Sequence, residues 1–132
     1  MPGGPVTTIV RYGMSDGVED GRCARQGGEQ ADEGTSSNAE LWALLFTTKS
    51  IHSGDAVKIV WRMTGSGAFH LGATSTAGSA APLTFGPDGP RGSSWTRPGE
   101  EWGTGFVFPS AGCWDMHAVR GTLTGDVWLP VQ

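Results

Sequence analysis

The chain's proton carriers and metal ligands are three histidines, two cysteines and thirteen acidic residues. What they could do depends on which of them share a face. Asp115 and His117 stand two apart, so on a strand both project to the same side. His70 falls on the outward parity of an earlier alternating run. Two histidines and a carboxylate suit zinc or copper, which makes His70, Asp115 and His117 the candidate metal ligands. Their spacing matches no ligand motif, however. The plainer reading is a solvated face with cross-strand ion pairs, each contributing under about 1 kcal/mol. Cys113, Met116 and His117 imitate a blue-copper ligand set, but Met116 and His117 are strand neighbours and face opposite ways. No Gly-x-Ser-x-Gly elbow occurs, and the adjacent carboxylates Glu19-Asp20, Asp32-Glu33 and Glu100-Glu101 suit solvated turns better than an acid/base pair. No catalytic residue, metal or cofactor is assigned, and a non-catalytic role is expected.

Six tryptophans are the more unusual resource. Trp61 and Trp114 fall on core-facing parity, whereas Trp42 and Trp128 fall on the parity opposite to their apolar neighbours. Trp95 and Trp102 flank Arg97 in a Ser/Pro/Gly-rich stretch over 93–102. Aromatic side chains displayed beside arginine suit stacking on sugar rings or a protein hot spot. Trp95, Arg97, Trp102 and Trp128 are therefore the candidate ligand-binding residues. The alternative is that Trp95 and Trp102 tuck under their own loop as a satellite cluster. A formal charge of −4 with no basic stripe argues against nucleic acid or an anionic membrane as partner. The expected partners are an extracellular protein, a cell-envelope component or a glycan.

Short strands must position these side chains. Twenty-two glycines and eight prolines, without a collagen-like period, mean many turns. Residues 56–64 alternate most clearly, with Val57, Ile59, Trp61 and Met63 on one face and Lys58, Val60 and Arg62 on the other. Gly65-Ser66-Gly67 then reads as a hairpin turn into 68–75, where Phe69, Leu71 and Ala73 point inward. Residues 113–120 place Trp114, Met116 and Ala118 on one side. A second hairpin turn at 121–125 leads to 126–131, with Val127, Leu129 and Val131 inward. Further strands are expected at 6–12, 41–47 and 105–108. A weak one at 82–85 precedes a turn cluster, Gly86-Pro87-Asp88-Gly89-Pro90.

About seven short strands with regular turn signals predict an all-β, antiparallel Ig-like β-sandwich, with a barrel as the alternative. Within one domain, residues 1–40 form an N-terminal strand and a long irregular acidic and glycine-rich segment packed on the body, and 41–132 form the sandwich. The strand of Lys58 and Arg62 is expected beside that of Asp115 and His117. One outer face then gathers Lys58, Arg62, Asp115, His117, Asp126 and Trp128.

Two cysteines in such a chain suit one disulfide, Cys23 to Cys113. It fastens the irregular segment to the body and stabilises by roughly 4–5 kcal/mol through chain entropy. Two free thiols of a cytosolic protein are the alternative. No apolar run is long enough to span a bilayer as a helix. Met1-Pro2-Gly3-Gly4-Pro5 lacks the charged start and apolar middle of an export signal, so an exported protein with this sequence is expected to be a mature form.

Four features occur together: Cys23 in an N-terminal loop, Leu41-Trp42 opening a strand, Lys58-Ile59-Val60-Trp61-Arg62, and a Phe108-Pro109-x-x-Gly112-Cys113-Trp114 corner. The combination resembles a group of uncharacterised small bacterial secreted proteins, often lipoprotein-like, with an Ig-like sandwich. The resemblance implies export to the extracellular space or cell envelope and a Cys23–Cys113 bridge. It implies no activity. The expected function is a secreted, non-catalytic interaction module. The alternatives are a carbohydrate or small-ligand binder using exposed tryptophans, and a metal-binding protein or metalloenzyme using His70, Asp115 and His117.

Overall fold

Runs that alternate apolar and polar residues become strands, and the computed structural model describes residues 8–10, 23, 32–33, 39–46, 50–92 and 96–132. The strands are β1 (Thr8–Val10), β2 (Asp32–Glu33), β3 (Leu41–Leu45), β4 (Ala56–Met63), β5 (Phe69–Ser75), β6 (Ala80–Ala81), β7 (Leu83–Arg91), β8 (Glu100–Val107), β9 (Gly112–Arg120) and β10 (Leu123–Val131). They make two antiparallel sheets, one with a four-stranded body ordered β3-β4-β8-β7 and six strands in all, the other of four strands ordered β10-β9-β5-β6. The short β1 and β2 both pair along β3 and widen the first sheet. No helix among the described residues is long and apolar enough to cross a membrane.

The core lies between the sheets, where inward parity places Ile59, Trp61 and Met63 against Trp114, Met116, Ala118, Val127 and Leu129, all fully buried. Sheets packed face to face bury apolar side chains on a period of two, so the sequence pattern and the burial pattern coincide along β4, β9 and β10. Cys23 and Cys113 form a disulfide with a Cα–Cα distance of 5.9 Å. It joins the N-terminal part of the chain to the start of β9.

Two local expectations are corrected. Gly65-Ser66-Gly67 is not a hairpin turn, because β4 pairs with β3 and β8 whereas β5 pairs with β9 and β6. The chain crosses between sheets there, with Gly65 and Gly67 at φ of 110° and 104°, a backbone conformation that side-chain-bearing residues avoid. Crossing lets Met63 and Phe69 enter the core from opposite sheets. The second correction concerns Gly86 to Pro90, which is strand rather than turn: β7 runs through it to Arg91, with register shifts along β8. An edge strand tolerates proline, since the missing N–H faces away from any partner.

One buried polar group holds the larger sheet's interior together. The Trp61 indole N–H donates to Thr104 Oγ1 at 2.8 Å, and the Thr104 hydroxyl donates to the Ile59 carbonyl at 2.7 Å. Thr104→Val keeps the shape but leaves the indole N–H without its acceptor in the core. The expected loss is about 1–3 kcal/mol of unfolding free energy, measured as a lower denaturant midpoint at unchanged slope.

Candidate functional site

The larger sheet's outer face is partly buried, and it is where a site takes shape. Leu41, Ala43 and Leu45 of β3 belong to the core, while Trp42, Leu44 and Val60 are buried outside that cluster. Strand register sorts the outer face into three rows crossing the sheet. Trp42, Arg62, Glu101 and Arg91 form the first, and Leu44, Val60, Gly103 and Asp88 the second. Lys58, Gly105 and Phe85 form the third, with Phe46 bonded through its backbone N–H to the Lys58 carbonyl.

The first row is a chain of charges. Arg62 Nη2 lies 3.1 Å from Glu101 Oε1, and both side chains are largely buried. Arg62 Nη1 also donates to the carbonyls of Arg97 at 3.0 Å and Gly99 at 2.7 Å. These bonds draw residues 97–99 over one end of the sheet. There the Arg97 guanidinium sits 4.3 Å from the centre of the Trp42 ring, a cation–π contact. The Trp42 indole donates to Glu40 Oε1 at 3.1 Å. Gly99 has φ of 97°, and a Cβ there would stand 2.3 Å from the Met63 carbonyl carbon. Only glycine lets the segment come this close.

The second row is low. Leu44 and Val60 are buried, and a Cβ built on Gly103 would meet nothing within 4 Å among the described residues. The third row is high. The Phe85 ring lies over Gly105, where a Cβ would collide with it at 2.3 Å. Covering a strand glycine with a neighbouring aromatic ring shields its backbone, yet Phe85 remains 43% exposed. Lys58 Nζ is 4.9 Å from the Phe46 ring centre. A low row between two higher ones is a groove, of about 290 Å³. Leu44, Val60 and Gly103 make its bottom, and Lys58, Phe85 and Arg91 stand around it. Glu101 also lines it, with its charge set against Arg62.

The smaller sheet's outer face carries the candidate metal ligands. His117 Nδ1 lies 2.8 Å from Asp126 Oδ1, its register partner on β10. Trp128 stands opposite Asp115. His70 pairs in register with Val119, and Gly72 faces His117. Among the described residues no three such groups are placed to hold a metal ion. This face does gather Asp115, His117, Asp126 and Trp128. Lys58 and Arg62 are not on it, because β4 and β9 belong to different sheets; both lie on the outer face of the larger one.

The expected tryptophan platform is not assembled either. Trp102 is 4% exposed, stacked on Phe69 with centroids 4.5 Å apart, and offers no face to a ligand. The reason is that β8 begins at Glu100 rather than at 105, so Trp102 takes core-facing strand parity. Trp128 sits on the opposite sheet from the one Arg97 covers. Trp95 lies outside the described residues. Of the four, Arg97 alone adjoins the groove's sheet face. Sequence reading does not single out Phe85, Arg91 or Gly103. The available signal is the pair Gly103 and Gly105, alternating with Trp102, Thr104 and Phe106, a strand whose outward side has been emptied.

No protein-family model matches the chain, and no curated protein matches it. Among solved structures the chain is similar to the crystal structure of a "Putative Lipoprotein from Bacillus anthracis", with a TM-score of 0.47 and 15% sequence identity, covering 76% of this chain and 86% of that one.

Proposed function

We propose that the chain is an exported, disulfide-stapled binding module of Ig-like build, and that its ligand is taken in the groove on the larger sheet's outer face. The strand order supports the build: β3-β4-β8-β7 against β10-β9-β5 corresponds to the ABED and GFC sheets of immunoglobulin-type sandwiches. The Cys23–Cys113 bridge supports export, since such bonds persist in oxidising compartments. One observation carries the functional reading. The groove combines a buried apolar bottom, an exposed aromatic ring and two cations in one concavity, the composition typical of small-ligand sites. Binding rather than catalysis is favoured by its ionisable groups. Lys58 and Arg91 are cations, and Glu101 is held by Arg62, so none of them is set up as a general base.

The test is a titration of small aromatic and sugar fragments followed by backbone amide resonances. Saturable shifts clustered at Leu44, Val60 and Gly103 are expected. Gly103→Val should abolish them while keeping the melting temperature, because valine fills open space and suits a strand. Shifts clustered instead at Asp115 and Trp128 would move the site to the smaller sheet and overturn this placement.

A further inference from the structure

The geometry points to a more definite ligand for this groove: a small aromatic acid, with its ring over the apolar bottom at Leu44, Val60 and Gly103 and its acid group drawn to the cations at the edge, Lys58 and Arg91. The inference rests on the groove being the binding site and adds the ligand's shape and charge.

Shape follows from the three rows. Leu44, Val60 and Gly103 line the groove from three neighbouring strands, and no side chain rises from its middle at Gly103. The wall on one side is the Phe85 ring, seated on Gly105 and 43% exposed. An apolar bottom beside an exposed ring accommodates a compact aromatic body, which gains offset or edge contacts with Phe85. The volume, about 290 Å³, is at the small end for ligand pockets, which limits the body to a compact ring system.

Charge follows from who is already engaged. Glu101, the carboxylate lining the groove, is matched by Arg62. Arg91 stands opposite Glu101 in the β7–β8 register, but the carboxylate leans to Arg62 instead. Lys58 and Arg91 make no ion pair among the described residues; Lys58 rests over the Phe46 ring. Asp88 pairs in register with Gly103 on the edge strand and does not line the groove. Two exposed cations thus stand over apolar surface in a chain whose formal charge is −4. A ligand bearing a carboxylate supplies the missing partner, and a hydrogen bond between ionised groups is stronger than a neutral one.

The experiment compares three probes of equal ring size, 2-naphthoate, 2-naphthalenemethanol and 2-naphthylmethylammonium, by amide-resonance titration of the full chain at low salt. Naphthoate is expected to perturb Leu44, Val60 and Gly103 and to bind roughly tenfold tighter than the alcohol, the gain of about one charge-assisted bond. The ammonium probe is expected to bind weakest. In the double variant Lys58→Gln, Arg91→Gln the difference between naphthoate and the alcohol should vanish, both probes then binding with similar affinity. Both replaced side chains are exposed, so the fold should be retained. Equal binding of all three probes in the groove overturns the acid preference and leaves the groove as the site. Shifts elsewhere, or none at these residues with any probe, overturn both.

Discussion

Replacing Cys23 and Cys113 together by alanine is expected to lower the unfolding free energy by about 4–5 kcal/mol. The bridge spans a sequence separation of 90. A cross-link of that length removes the closure entropy of a long loop from the unfolded chain, so its effect on the chain-entropy account is near the upper end for one disulfide. Local contacts at the two sulfurs matter less, because each cysteine is already buried and alanine keeps the Cβ. The comparison that isolates the tether is oxidised wild type against wild type in reductant and against the double variant, all by guanidinium unfolding. The two unbridged forms should share one midpoint, well below that of the oxidised protein. A shift under about 1 kcal/mol would mean that the unfolded chain retains structure joining its two ends, and the bridge's main effect would then be on the native arrangement alone.

The fold was legible wherever one side of a strand is core and the other is water. Residues 56–63 show it, with Val57, Ile59, Trp61 and Met63 buried and Ala56 and Lys58 exposed. Val60 breaks the rule, being only 7% exposed on the outward parity, and so does Trp42. Both sit on a face that is itself partly covered, and alternation carries no information about a second layer of burial. Turn residues misled for a related reason. Glycine and proline mark turns because of their backbone geometry, but on β7 they serve an edge strand, and at 65–67 they change sheets rather than reverse the chain. Composition cannot distinguish these uses. The groove was the least legible feature, since its defining residue, Gly103, contributes by having no side chain. A site built from an emptied position announces itself only after register brings Leu44, Val60 and Gly103 into one row.

Parity did contain one message that the sequence reading passes over: the alternation placing Trp114, Met116 and Ala118 inward also places Arg120 inward. The structure buries it, with 4% of the side chain exposed, and surrounds it with acceptors from the other sheet and from the crossing segment. Nη1 donates to the Met63 carbonyl at 2.7 Å, Nε to the Gly67 carbonyl at 3.1 Å, and Nη2 to the Glu100 carboxylate. The guanidinium also lies 4.8 Å from the centre of the Trp102 ring. One β9 side chain thereby ties β4, the crossing at Gly67 and β8 to the smaller sheet. Arg120→Met keeps the aliphatic volume but removes every donor, so the Met63 and Gly67 carbonyls both lose the guanidinium. The expected loss is about 2–4 kcal/mol. Glu100→Gln separates the causes. The Glu100 side chain is 54% exposed, so water can replace its half of the ion pair, and the expected loss is under about 1 kcal/mol. If both variants shift the denaturant midpoint equally, the ion pair is the fastening. If only Arg120→Met shifts it, the two backbone carbonyls are, and the sheets are held at this end by an arginine acting as a branched hydrogen-bond donor rather than as a charge.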